Sequence, residues 1–94
     1  MKSNFWSIHI SGYDIPVLAP EEPIDSIEAC TRAIEWLHQV KIDYSIGPAI
    51  AATCDSKTCM VKSDIVLANA GKFIHCEKLR NLIKNYNTKM KNKA

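Results

Sequence analysis

The chain has 94 residues, of which 47% are hydrophobic and 23% charged, with 3 Gly, 4 Pro and a net charge of +2. That length holds one hydrophobic core and leaves no room for a second, and the composition excludes a disordered, collagen-like or linker protein. No stretch approaches the roughly 18 apolar residues of a membrane span, and the polar first ten residues lack the apolar run and small-residue cleavage pattern of a secretory leader, so a cytoplasmic protein is expected.

Trp6, Ile8 and Ile10 alternate with Ser7 and His9, which predicts a strand with one apolar face. Ser11-Gly12-Tyr13-Asp14 supplies turn chemistry, and Ile15, Val17 and Ala19 resume the same period, so a β-hairpin is expected. Pro16 has no amide hydrogen for a ladder. The second strand should therefore lie at a sheet edge or turn residue 16 outward. Pro20 and Pro23 end it.

Asp25-Ser26-Ile27-Glu28 matches a capping box. Behind it Ile27, Cys30, Ile34 and Leu37, widened by Ala33 and Val40, form the apolar stripe of a helix over about residues 25–40, with Glu28 and Arg32 as an i,i+4 pair on the polar side. Trp36 falls at the edge of that stripe. Residues 42–53 read as a strand bent at Gly47-Pro48. A turn at Asp55-Ser56-Lys57-Thr58 would bring Cys54 and Cys59 to facing strand ends, and the odd positions Cys59, Val61, Ile65 and Leu67 predict a further strand, although Ser63-Asp64 is also a helix start. Asn69-Ala70-Gly71-Lys72 reads as a turn. Cys76, Leu79, Leu82, Ile83 and Tyr86 gather on one side of a helix over residues 72–87, and residues 88–94 form a basic tail.

The order is ββαββα, compatible with a fifth short strand at residues 73–76. This predicts an α+β fold, one small domain over residues 1–87, with two helices on one face of a mainly antiparallel sheet. The other face of the sheet would be partly exposed and is a candidate contact surface.

Charge is unevenly distributed. Residues 72–94 hold seven basic residues and one acid, for +6, while residues 1–71 hold five basic residues and nine acids, for −4. The chemistry of common sites is absent from the pattern. Gly71-Lys72 resembles the end of a phosphate loop, but Val66 and Phe73 stand where the motif needs Gly and Ser or Thr. His75 and Cys76 are adjacent, so their side chains diverge and cannot act as base and nucleophile. His9 and His38 read as solvent-facing, without a carboxylate at a fixed local spacing. A zinc site of all four cysteines is arithmetically available, yet Cys30 and Cys76 have no close second ligand. Buried, inert thiols are expected, with no metal and no cofactor.

What remains is a surface. The expected function is a small non-enzymatic protein-binding module that masks or bridges a partner, of the inhibitor, immunity or regulatory-subunit kind found among phage- and plasmid-borne accessory proteins. Its contact residues would be the aromatic anchors Trp6, Tyr13 and Trp36 and the acids Asp14, Glu21 and Glu22. The alternative is a sequence-tolerant nucleic-acid binder using Lys78, Arg80, Lys84, Lys89, Lys91 and Lys93. Neither reading involves a membrane, and both leave a homodimer open.

Overall fold

The computed structural model of the protein describes residues 1–69. The elements run β1 (Phe5–Ile10), β2 (Tyr13–Leu18), α1 (Ser26–Gln39), β3 (Ala49–Cys54), β4 (Lys57–Lys62) and α2 (Ser63–Asn69). The four strands form one antiparallel sheet in the order β2-β1-β3-β4, with both helices on one face. The α+β class and the order ββαββα thus stand. The helix after β4 is α2, and the helix expected at residues 72–87 and the strand at 73–76 lie outside the described residues.

Each hairpin closes on two residues with positive φ: Ser11 (50°) and Gly12 (81°) in the first, Asp55 (48°) and Ser56 (67°) in the second. Two consecutive positive φ values are the signature of a type I′ turn, whose twist matches that of the strands it joins. These turns are tighter than the sequence suggested. They pair Ile10 with Tyr13 and Cys54 with Lys57. Cys54 and Cys59 therefore do not oppose each other, since Cys59 pairs with Ala52, and Cys30, Cys54 and Cys59 are free thiols.

In such a hairpin the pairs next to the turn and every second pair beyond exchange ladder hydrogen bonds, while the pairs between them point their amides away. Pro16 opposes Ser7, an outward position on the edge strand β2, so its missing N–H leaves no gap in the ladder.

The helix-facing side of the sheet contributes Trp6, Ile8, Ile15, Val17, Ile50 and Ala52 to the core. Trp6 is only 2% exposed, and its indole Nε1 donates to the Ile24 carbonyl at 2.8 Å. The segment from Pro20 to Pro23 is held by a bridge in which Ser3 and Ile24 exchange two 2.9 Å hydrogen bonds. Asp25 caps α1 by accepting from the Glu28 amide at 2.8 Å, as the sequence indicates.

Helix α1 contacts all four strands and α2. Its buried arc is consequently wider than one apolar stripe, taking in Thr31 and Glu35 as well as Ala29, Cys30, Ala33, Ile34, Trp36 and Leu37. Thr31 tolerates burial because its hydroxyl donates back to the Ile27 carbonyl at 2.8 Å. Trp36, which the helical wheel puts at the stripe edge, is 1% exposed, whereas Ile27 at the other end of the stripe is 37% exposed. Past the helix, Lys41 N donates to His38 O and Ile42 N to Leu37 O. These are the two bonds of a Schellman motif, with Lys41 in the left-handed region (φ 57°) and Ile42 packed on the core.

Residues 42–48 are not a strand. Ile42, Tyr44 and Ile46 alternate and pack against the core as expected of one, but the segment joins no ladder and the strand begins only at Ala49, after Pro48. Likewise the strand expected over residues 59–67 stops at Lys62, where Ser63 turns the chain into α2 and bonds back to the Pro48 carbonyl through its amide at 3.2 Å.

Two substitutions probe this frame. Asp25→Ala should lower unfolding free energy by about 0.5–2 kcal/mol through loss of the cap. Lys41→Gly should raise it by about 0.5 kcal/mol, because a left-handed position costs a side-chain residue roughly 1–2 kcal/mol and glycine loses part of that gain to entropy. Urea denaturation of both variants checks the signs.

Candidate protein-binding surface

The face of the sheet turned away from the helices carries two registered rows. One runs Pro16, Ser7, Thr53, Thr58, and the other Asp14, His9, Ala51, Met60; Leu18 and Phe5 pair beyond them. Phe5 is 49% and Met60 63% exposed, while Pro16, Leu18 and Ala51 are half-buried. The expected open face therefore exists, with apolar side chains at two of its sides and a polar centre.

His9 organises that centre. It opposes Asp14 in a pair that does not exchange ladder bonds, the kind in which opposed side chains stand closest, and its Nδ1 contacts Asp14 Oδ1. On the other side the small Ala51 leaves room for the ring to reach diagonally, so that Nε2 lies 3.0 Å from Thr53 Oγ1. The Thr53 hydroxyl donates to the Ser7 carbonyl at 3.2 Å. His9 is thus not the partnerless histidine the sequence suggested.

His38 also has a partner. Its Nε2 is hydrogen-bonded to Tyr44 Oη, with ring centroids 5.6 Å apart, and burial raises the Tyr44 hydroxyl above its ordinary pKa. This contact ties the 40–48 segment to the end of α1.

The residues proposed from sequence do not form one surface. Trp6 and Trp36 are core residues at 2% and 1% exposure and have no surface to offer a partner, a correction to their reading as anchors. Tyr13 sits opposite Ile10, on the helix-facing side at the turn end of the sheet, and is 36% exposed. Asp14 is committed to His9 rather than free. Glu21 and Glu22 are exposed beyond the far end of β2, beside a shallow recess of about 270 Å³ that Glu28 and Arg32 also line. Arg32 there pairs with Glu28 at 3.7 Å. An adjoining recess of about 350 Å³ adds Asp25 and Lys2. Lys78, Arg80, Lys84, Lys89, Lys91 and Lys93 lie outside the described residues.

The thiols differ in environment. Cys30 is buried, and burial pushes its pKa up to about 12, with smaller like-charge contributions from Cys59 and Asp25. Cys59 is exposed, with Sγ 3.4 Å from Ser26 Oγ. Among the described residues no group of three or more His, Cys, Asp or Glu is placed to hold a metal, and no helix is long and apolar enough to cross a membrane. No family model, curated protein or solved structure matches the chain.

The registered pair His9 and Asp14 would have been legible from a two-residue turn at Ser11-Gly12. Thr53 is 44 residues from His9, and only the pairing of β1 with β3 brings it in.

Two measurements follow from these contacts. In a double-mutant cycle of His9→Gln and Asp14→Asn, the coupling in unfolding free energy should be about 0.2–1 kcal/mol, the range of an exposed polar pair; simple additivity would show that the contact adds nothing. A thiol raised from 9.0 to about 12 in the fold contributes stability that is fully present below pH 9 and lost as pH rises toward 12. Cys30→Ala should therefore flatten the alkaline decline of stability, and alkylation of the native chain, mapped by peptide, should label Cys59 and spare Cys30.

Proposed function

We propose that this chain is a small non-enzymatic module that binds a protein partner through the open face of its sheet and masks or bridges a surface of that partner. The observation that carries the reading is the exposed apolar flank of that face, Phe5 and Met60, set around the ordered centre of Asp14, His9 and Thr53. Exposed apolar side chains rimmed by polar ones mark contact sites. A centre whose hydrogen bonds are already made is rigid, so a partner meets it without ordering it first.

Asp14, His9 and Thr53 have the connectivity of a carboxylate–imidazole–hydroxyl relay. The Thr53 hydroxyl is also bonded to the Ser7 carbonyl at 3.2 Å, a shared role that favours the non-enzymatic reading. The recesses at Glu21, Glu22 and Glu28 also lie at the far end of β2 from His9 and Asp14. Free Cys30, Cys54 and Cys59 suit a reducing, cytoplasmic setting. The size class is that of inhibitor and immunity proteins carried by phages and plasmids, an analogy of scale.

The test is capture from a nuclease-treated lysate with the wild-type chain and with Phe5→Asp, which puts a charge on the open face at an exposed position. A stoichiometric protein held by the wild type and released by Phe5→Asp, with removal of Lys89 to Ala94 having little effect, supports the module. Binding to nucleic acid that persists at physiological salt and falls on removal of Lys89 to Ala94, with no protein partner, overturns it in favour of the basic segment.

A further inference from the structure

The two edges of the sheet are built differently. On β2 the outward-pointing backbone positions are 14, 16 and 18, and Pro16 at the middle one has no N–H to offer. A proline at that place blunts an edge against strand addition. On β4 the outward positions are 58, 60 and 62, because Lys57, Cys59 and Val61 turn their amides to β3. β4 contains no proline or bulge, and among the described residues no strand lies on its outer side. Five of its six residues are exposed, and Met60 at the middle is the most exposed apolar side chain of the sheet at 63%. Lysines, the other common guard of an edge, stand only at its two ends, Lys57 and Lys62.

We infer that β4 is a self-association edge on which a second copy of this chain adds its own β4, antiparallel, about a two-fold axis through Met60. The register follows from the strand itself. Only positions 58, 60 and 62 present free N–H and C=O groups outward, so pairing must match these with one another. Placing Met60 opposite Met60 of the second copy also sets Thr58 opposite Lys62 and Lys62 opposite Thr58. Every outward group is then used, and no two lysines meet. Shifting the centre to Cys59 or Val61 uses fewer of those groups. A one-residue slip places outward positions against inward ones and puts Lys57 opposite Lys62, which like-charge repulsion opposes.

In this register the two helix layers lie on the same side of a continuous eight-stranded sheet, and the two Met60 side chains pack together on the open side. On the helix side α2 packs on β4, and its Ile65 and Leu67 are 40% and 46% exposed. Pairing β4 with β2 of another copy is excluded by Pro16, and such a head-to-tail contact would also grow into filaments rather than close. The proposal shares the exposed Met60 with the partner-binding reading, but it concerns the backbone edge of the sheet and is read with the purified chain alone.

The experiment is sedimentation equilibrium in reducing buffer over a wide concentration range, for the wild type, Met60→Pro and Met60→Lys. Met60→Pro removes an outward N–H that the fold does not use, as Pro16 already does on β2. Met60→Lys keeps the backbone and sets two like charges on the axis. A reversible wild-type dimer is expected, with the dissociation constant raised at least about tenfold in both variants while far-UV circular dichroism is unchanged. If Met60→Pro unfolds, Met60→Lys carries the test. The register is read by Met60→Cys in a Cys59→Ser, Cys76→Ser background, which should form a disulfide-linked dimer on mild oxidation, whereas Thr58→Cys alone should not. A wild-type chain that stays monomeric overturns the inference and leaves the edge to a foreign strand or to the short strand expected at residues 73–76. A dimer indifferent to both Met60 substitutions places the contact elsewhere and overturns it equally.

Discussion

The arrangement depends on register, and register depends on two tight turns. Because side chains alternate across a strand, a slip of one residue in either hairpin would carry Ile8, Ile15 and Val17, or Ile50 and Ala52, from the core to solvent. The positive φ values at Ser11-Gly12 and Asp55-Ser56 hold the chain against that slip. Only Gly12 among these four adopts its conformation without steric cost. Ser11, Asp55 and Ser56 are held there because the alternative forfeits the buried face of a strand pair, worth several kcal/mol when two or three large apolar side chains are at stake.

Covering the sheet on one face has consequences on both sides. On the covered side α1 touches four strands and a second helix, so its enclosure exceeds its apolar stripe and reaches Thr31, Glu35 and Trp36. Thr31 meets this by bonding to its own helix, and Cys30 by remaining a neutral thiol. On the open side the polar row faces solvent, and its members also bond to one another. Asp14, His9, Thr53 and the Ser7 carbonyl do so across three strands. The same register that seals the core therefore aligns the polar centre of the opposite face.

The edges complete this picture. A four-stranded open sheet has two rows of unpaired backbone groups, and each row is a template for another strand unless something spoils it. Pro16 spoils one at an outward position, where its missing hydrogen does no damage inside the hairpin. The other row, on β4, carries charge only at its ends and an exposed methionine at its centre. The face would be read through its side chains and the edge through the outward backbone groups of β4, and Met60 belongs to both.

Local pattern by itself determined the elements with strong periodicity or specific chemistry: the first hairpin, the capped helix from Ser26, the edge position of Pro16 and the α+β order. These are settled by contacts a few residues apart, where alternation, caps and proline geometry act directly. The first part of the strand expected over residues 42–53, residues 42–48, has the right alternation, but alternation reports only which side chains touch the core and not whether a neighbouring strand accepts the amides. Trp6 and Trp36 were ambiguous for a related reason. A large aromatic ring serves a core and an interface equally well, and only the packing of the helices on the sheet decides. The centre formed by His9, Asp14 and Thr53 was decided at the same level. His9 and Asp14 meet through a turn two residues long, and Thr53 joins them only when α1 has crossed the sheet and returned the chain beside β1, a placement fixed by long-range burial.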